Sequence, residues 1–104
     1  MIVVNTDFIL GKEIKETIDL VRGNTIQAKG IGKDFRAGLR HIAGGEIKEY
    51  TEMLAESREV AIKRMIDKAE KLGADAVINV RFMTSSMMGG AAEILAYGTA
   101  VKLK

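Results

Sequence analysis

One histidine, His41, stands in a chain of 104 residues that contains no cysteine. A metal site needs several converging donors, so a lone imidazole holds an ion only together with carboxylates, thioethers or copies of itself from other chains. Glu46 and Glu49 are the carboxylates nearest to it downstream, but Gly44-Gly45 separates them from it. Three of the six methionines, Met83, Met87 and Met88, fall within six residues. Thioether sulfur is a soft donor suited to Cu(I), and it is equally an adaptable filler of cores and contact surfaces. The metal-ligand candidates are therefore His41, Glu46, Met87 and Met88. The plainer readings, a histidine near a helix C-terminus and methionines packed at a contact, are favoured by the spacing.

Catalytic groups are less well defined. The hydroxyls of Thr84, Ser85 and Ser86 become nucleophiles only beside an activating base, and no base is marked by the sequence. Asp34, Arg36, Arg40, His41, Glu46 and Tyr50 form a polar group in which acid/base work is conceivable. Asp34, Arg40 and Tyr50 are its ligand-binding candidates, although a helix cap at Asp34 and an ion pair from Arg40 across a subunit contact explain them more simply. Gly30-Ile31-Gly32-Lys33-Asp34 invites a phosphate-loop reading. Its spacing fails. A dinucleotide loop needs glycine at Phe35, and a Walker A loop needs glycine at Gln27 and Ser or Thr at Asp34.

The elements that must position these residues fit one small domain, residues 1–104. Sixteen basic and fourteen acidic residues leave a net charge of +2, too dispersed for a nucleic-acid footprint. No apolar run reaches membrane-spanning length and no signal-peptide pattern opens the chain, so a soluble cytoplasmic protein is the expectation. Ile2 to Thr6 is predicted to be a short strand, punctuated by Gly11. Glu13 to Arg22 alternates, with Ile14, Ile18 and Leu20 on one face. Gly23-Asn24 reads as a two-residue hairpin turn, returning through Thr25 to Lys29. A short helix begins at Asp34 and ends at Gly44-Gly45. A long one runs from Glu46 to Leu72 on an apolar stripe that includes Leu54, Ala61 and Met65, with Gly73 as its left-handed cap. Ala76, Ile78, Val80 and Phe82 then make one strand face, followed by a polar Met-rich loop.

The closing strand, Glu93 to Lys104, is apolar on both faces. Leu95, Tyr97, Val101 and Leu103 read as the face that packs on the long helix. Ile94, Ala96, Gly98 and Ala100 are small enough to let another subunit approach closely. The fold class is α+β: a small antiparallel sheet with one short and one long helix.

Asp34-Phe35, Arg40, Gly44-Gly45-Glu46-Ile47-Lys48-Glu49-Tyr50, Gly73 through Phe82 and Glu93 through Val101, in that order, resemble the YbjQ-like family over nearly the whole chain. Many members carry Arg where this chain has Glu46, which marks a distinct branch. The resemblance implies a dodecin-subunit-like fold with short extra strands that promote ring assembly into a homopentamer or a decamer. It also implies the family's heavy-metal label, without naming ligand residues. A non-enzymatic binding or scaffold protein, holding a metal ion or small ligand between subunits, is the first reading. An enzyme of unknown reaction at polar interface residues and a purely structural assembly are the alternatives. Self-association is the expected partnership, with neither nucleic acid nor membrane.

Overall fold

A computed structural model describes residues 1–27, 48–86 and 91–104, with only the backbone described at positions 27 and 48–50. Four strands and one helix fill these ranges: β1 (Ile2–Val3), β2 (Ile14–Gln27), α1 (Lys48–Lys71), β3 (Ala76–Ser86) and β4 (Ala92–Leu103). The expected short helix from Asp34 to Gly44 lies outside the described residues. The sheet runs β1-β3-β4-β2. It is mixed rather than antiparallel throughout, because β1 pairs with β3 in parallel while β3 and β2 both pair antiparallel with β4. The parallel pair is possible because α1 carries the chain back across the sheet before β3 begins.

No hairpin forms at Gly23-Asn24. β2 continues straight through both residues, pairing Gly23 with Ala96 and Asn24 with Leu95. Gly23 is buried beneath α1, where an added Cβ would collide with the backbone at Ala61, Arg64 and Met65. The glycine therefore serves close approach of helix to sheet, not a turn. The conformational turn residue is Gly11, at φ 78° in the turn closed by the Lys12 N–H donating to the Ile9 carbonyl at 3.0 Å.

The buried seam of α1 is Met53, Ser57, Ala61, Met65 and Ala69, spaced by four. Ser57 is the polar member, satisfied by donating from Oγ to the Met53 carbonyl at 2.8 Å. Leu72 is more than two-fifths exposed and falls outside the stripe expected for it. The helix ends as anticipated. Gly73 is left-handed at φ 78°, the Gly73 N–H donates to the Glu70 carbonyl, and the Ala74 N–H donates to that of Ala69, a Schellman closure. Gly73→Ala adds a methyl that meets only the Lys102 side chain, at ordinary contact distance, so the backbone conformation is the main cost: about 1 kcal/mol of stability is expected to be lost, measurable by urea unfolding.

Three irregularities decide which side chains share a face. Register shifts in β2 between Ile14 and Glu16 and between Thr17 and Asp19 place Ile14 and Ile18 in different clusters and leave Leu20 exposed, against the expected common face. In β3 the shift lies between Ile78 and Arg81, where Asn79 takes φ 54° and donates its N–H to the Thr6 carbonyl at 2.9 Å. Val77 and Val80 thus both join the helix side, while Ala76 and Ile78 face the other way. The alternation expected through Val80 and Phe82 is broken by that one extra residue.

β4 reverses the expected assignment. Ile94, Ala96 and Ala100 pack with Ala61, Met65 and Ala69 in the principal core. Val101 and Leu103 pack on the opposite face with Ala76, Ile78, Ile9 and Ile14. The small residues of β4 are small because α1, itself built on Ala61 and Ala69, sits close above them. The larger residues look away from the helix.

Candidate binding surface

Asp34, Arg40, His41, Glu46, Met87 and Met88 all lie outside the described residues, and of Tyr50 only its place in the first turn of α1 is described. Among the described residues no three His, Cys, Asp or Glu side chains are grouped to hold a metal ion. Thr84, Ser85 and Ser86 belong to β3 and not to the loop expected there, paired with Ile94, Glu93 and Ala92. Their exposed strand positions supply no activating base from β4 other than the carboxylate of Glu93, opposite Ser85.

The described surface has two concavities beside α1. One is a groove of about 520 Å³ between Ile62 of the helix and Val80 and Phe82 of β3, closed by residues 3–6. The other, about 270 Å³, sets Arg64, Lys68 and Lys71 around Asp67 beside Asn24, with the Arg64 Nη1 donating to the Asn24 carbonyl at 2.7 Å. Both are open clefts at the helix edge. The first is mainly apolar; the second carries three cations against one carboxylate.

The larger feature is the sheet face turned away from α1. Its first half is covered by the chain from Val4 to Ile14, which seats Ile9 and Ile14 against Ala76, Ile78 and Val101. The other half is bare among the described residues. Cross-strand register there aligns three rows over β2, β4 and β3: Arg22–Tyr97–Arg81, then Asn24–Leu95–Met83, then Ile26–Glu93–Ser85. Opposed residues on neighbouring strands share a face, so these side chains lie together. Ile26 and Met83, on the two strands that flank β4 there, are 57% and 54% exposed, high for large apolar groups. Asn24 Nδ2 donates to Glu93 Oε2 at 3.3 Å, and Arg81 Nη1 donates to the carbonyls of Asn5 at 2.7 Å and Val80 at 3.1 Å.

This half-face holds no lysine, although the chain has 16 basic residues. Arginine, tyrosine, methionine and aliphatic groups replace lysine. Arginine, tyrosine and methionine are enriched in protein contacts, whereas Glu93 and Ser85, on the same half-face, are of types depleted there. Sequence reading marked β4 as apolar on two sides but assigned the helix to the wrong one. The neglected signal was size: Leu95 and Tyr97 are too bulky to lie under a helix that also covers Gly23.

A family model described as "putative heavy-metal-binding" matches residues 1–104. The chain belongs to this YbjQ-like family. Relatives named UPF0145 proteins agree: one from Methanosarcina acetivorans is 64% identical over 103 residues, covering 99% of this chain and 97% of its own length. One from Fervidobacterium nodosum is 64% identical over 104 residues, covering 100% of this chain and 96% of the relative. A crystal structure of a DUF74-family protein of unknown function from Pediococcus pentosaceus superposes with a TM-score of 0.57 at 14% identity, covering 100% of this chain and 98% of the other. That likeness establishes a shared fold. No helix among the described residues of this YbjQ-like chain is long and apolar enough to cross a membrane.

Proposed function

We propose that this YbjQ-like protein is a cytoplasmic, non-enzymatic binding or scaffold protein that assembles with copies of itself into a ring, five-membered or doubled to ten, and holds a heavy-metal ion or small ligand between subunits. The observation that carries the reading is the half of the sheet face where, among the described residues, Leu95, Tyr97, Met83 and Ile26 lack the cover that α1 gives the other face. Burying such a face against another copy removes apolar surface from water at about 25 cal/mol per Å². Symmetry also multiplies donors: one His41 per chain becomes several around an axis. The family description supports the metal part of the reading.

The test is titration of the chelator-stripped protein with Zn(II) and, under reducing conditions, Cu(I), while mass is followed under native conditions. A site between ring neighbours predicts one ion per chain, a site on the axis fewer ions than chains, and either predicts tighter binding by the assembly than by any dissociated form. His41→Ala is expected to weaken binding at least tenfold if the imidazole is a ligand. One ion per chain, retained unchanged on dissociation, contradicts an interface site. An assembly with no affinity for either ion overturns these two metals as the ligand and leaves the small-ligand and purely structural readings.

A further inference from the structure

The bare half-face carries a charge pattern complementary to itself. In register, the row Arg22–Tyr97–Arg81 and the row Ile26–Glu93–Ser85 stand on opposite sides of Leu95, two residues away along each strand. We propose that two copies of this chain pack these faces together about a two-fold axis running across the strands through Leu95. The inference rests on the self-assembly proposed above and names the surface that makes one of its contacts.

The choice of axis follows from charge. Sheets packed face to face lie about 10 Å apart, and a two-fold contact between them has its axis in the plane between the sheets. Were the axis to run along the strands, the arginine row of one copy would face the arginine row of the other. Guanidinium groups would then be desolvated against like charge, an arrangement that interfaces avoid. With the axis across the strands, β4 lies over β4 and the rows exchange. Each Glu93 then faces Tyr97 of the second copy, flanked by that copy's Arg22 and Arg81, and Leu95 meets its own counterpart at the centre. The natural twist of both sheets offsets the strands by roughly 30° without changing which rows meet.

Local geometry supports this arrangement. The carboxylate of Glu93 is held on the face by the Asn24 amide. Arg22 is exposed and has no carboxylate within ion-pairing distance among the described residues. Arg81 is tethered to the carbonyls of Asn5 and Val80 through one nitrogen only, which leaves the other guanidinium donors for a partner. The apolar members of the same rows supply the contact area, and the charges fix its orientation. An isologous contact also fixes parity: every complete assembly contains an even number of chains, as a dimer or as two rings joined.

Native mass measurement of the full chain, its Glu93→Arg, Arg22→Glu and Arg81→Glu variants and the triple exchange tests this directly. Glu93→Arg is expected to halve the mass of the assembly, since it faces both arginines of the second copy, and each arginine variant is expected to shift the balance toward the half mass by setting a second carboxylate beside Glu93. The triple exchange inverts every charge across the axis and is expected to restore the mass. Far-ultraviolet circular dichroism identifies any variant that has failed to fold. For such a variant, Leu95→Arg is the substitute, at the half-buried centre of the face, with the same halving expected. An assembly whose mass is unchanged by folded single variants overturns this face while self-assembly stands. Halving without restoration by the exchange overturns the proposed axis. A wild-type chain that is a single copy at every concentration overturns both this contact and the assembly on which it rests.

Discussion

Gly23→Ala is expected to be the most damaging single-methyl change in the described chain. The added carbon would lie inside van der Waals contact of the Ala61 carbonyl oxygen, the Met65 nitrogen and the Arg64 carbonyl carbon. These are backbone atoms of a 24-residue helix, so no side chain can swing aside. Either α1 lifts off the sheet or β2 buckles beneath it. Lifting α1 separates Ala61, Met65 and Ala69 from Val21, Ile94 and Ala96, the centre of the principal core. Overpacking typically costs 1–3 kcal/mol, and a backbone-on-backbone clash belongs at or above that upper end. A loss of about 3 kcal/mol or more is a large part of the roughly 5–15 kcal/mol that holds a domain folded. Urea unfolding should show a strongly lowered midpoint, or no folded baseline. Gly73→Ala is the internal comparison, because there the added methyl meets only a flexible lysine side chain at ordinary contact distance and φ is what resists. Equal effects at the two positions would contradict the proposed role of Gly23.

Met65→Ala is expected to cost about 3 kcal/mol for the opposite reason. Met65 is fully buried at the middle of the seam, facing Val21 and Ile94. Truncation leaves a cavity between a helix and a sheet that are already held at the spacing set by Gly23 and the alanines. Closure of that gap is limited, so both the transfer and the cavity contributions are lost. Met65→Leu preserves most of the volume and should cost under about 1.5 kcal/mol. The midpoint of urea unfolding should fall for the alanine variant with an unchanged slope, the mark of lost stability without altered compactness of the unfolded state. A change below about 1 kcal/mol would mean that this seam is not the core.

The contrast between these positions shows where the fold was readable in the chain and where it was not. The helix was legible because Met53, Ala61, Met65 and Ala69 repeat at helical spacing and Gly73 closes it, two independent signals that agree. Strand existence was legible in β3 and β4 from their branched and aliphatic content. Strand faces were not. A period of two has no memory of an inserted residue, so the bulge at Asn79 and the two shifts in β2 silently exchange inside for outside. Gly23 was ambiguous because glycine marks both turns and close approaches, and the residues that distinguish them, Ala61 and Met65, lie about forty positions away. The apolar excess of β4 was visible, but its direction depended on which face received the helix. The metal and ligand candidates were chosen by residue type, and all but Tyr50 lie outside the described residues. Arg22 and Glu93 escaped notice, and Leu95 and Tyr97 were assigned to the helix face, because their relation exists only across strands, in register.

Sedimentation equilibrium of the unmodified chain, from nanomolar to tens of micromolar, tests the central claim of self-assembly through uncovered sheet surface most directly. A single multi-chain species, dissociating only on dilution, is the expected result, with an even number of copies where the face-to-face contact also forms. A mass of one chain at every concentration would contradict it.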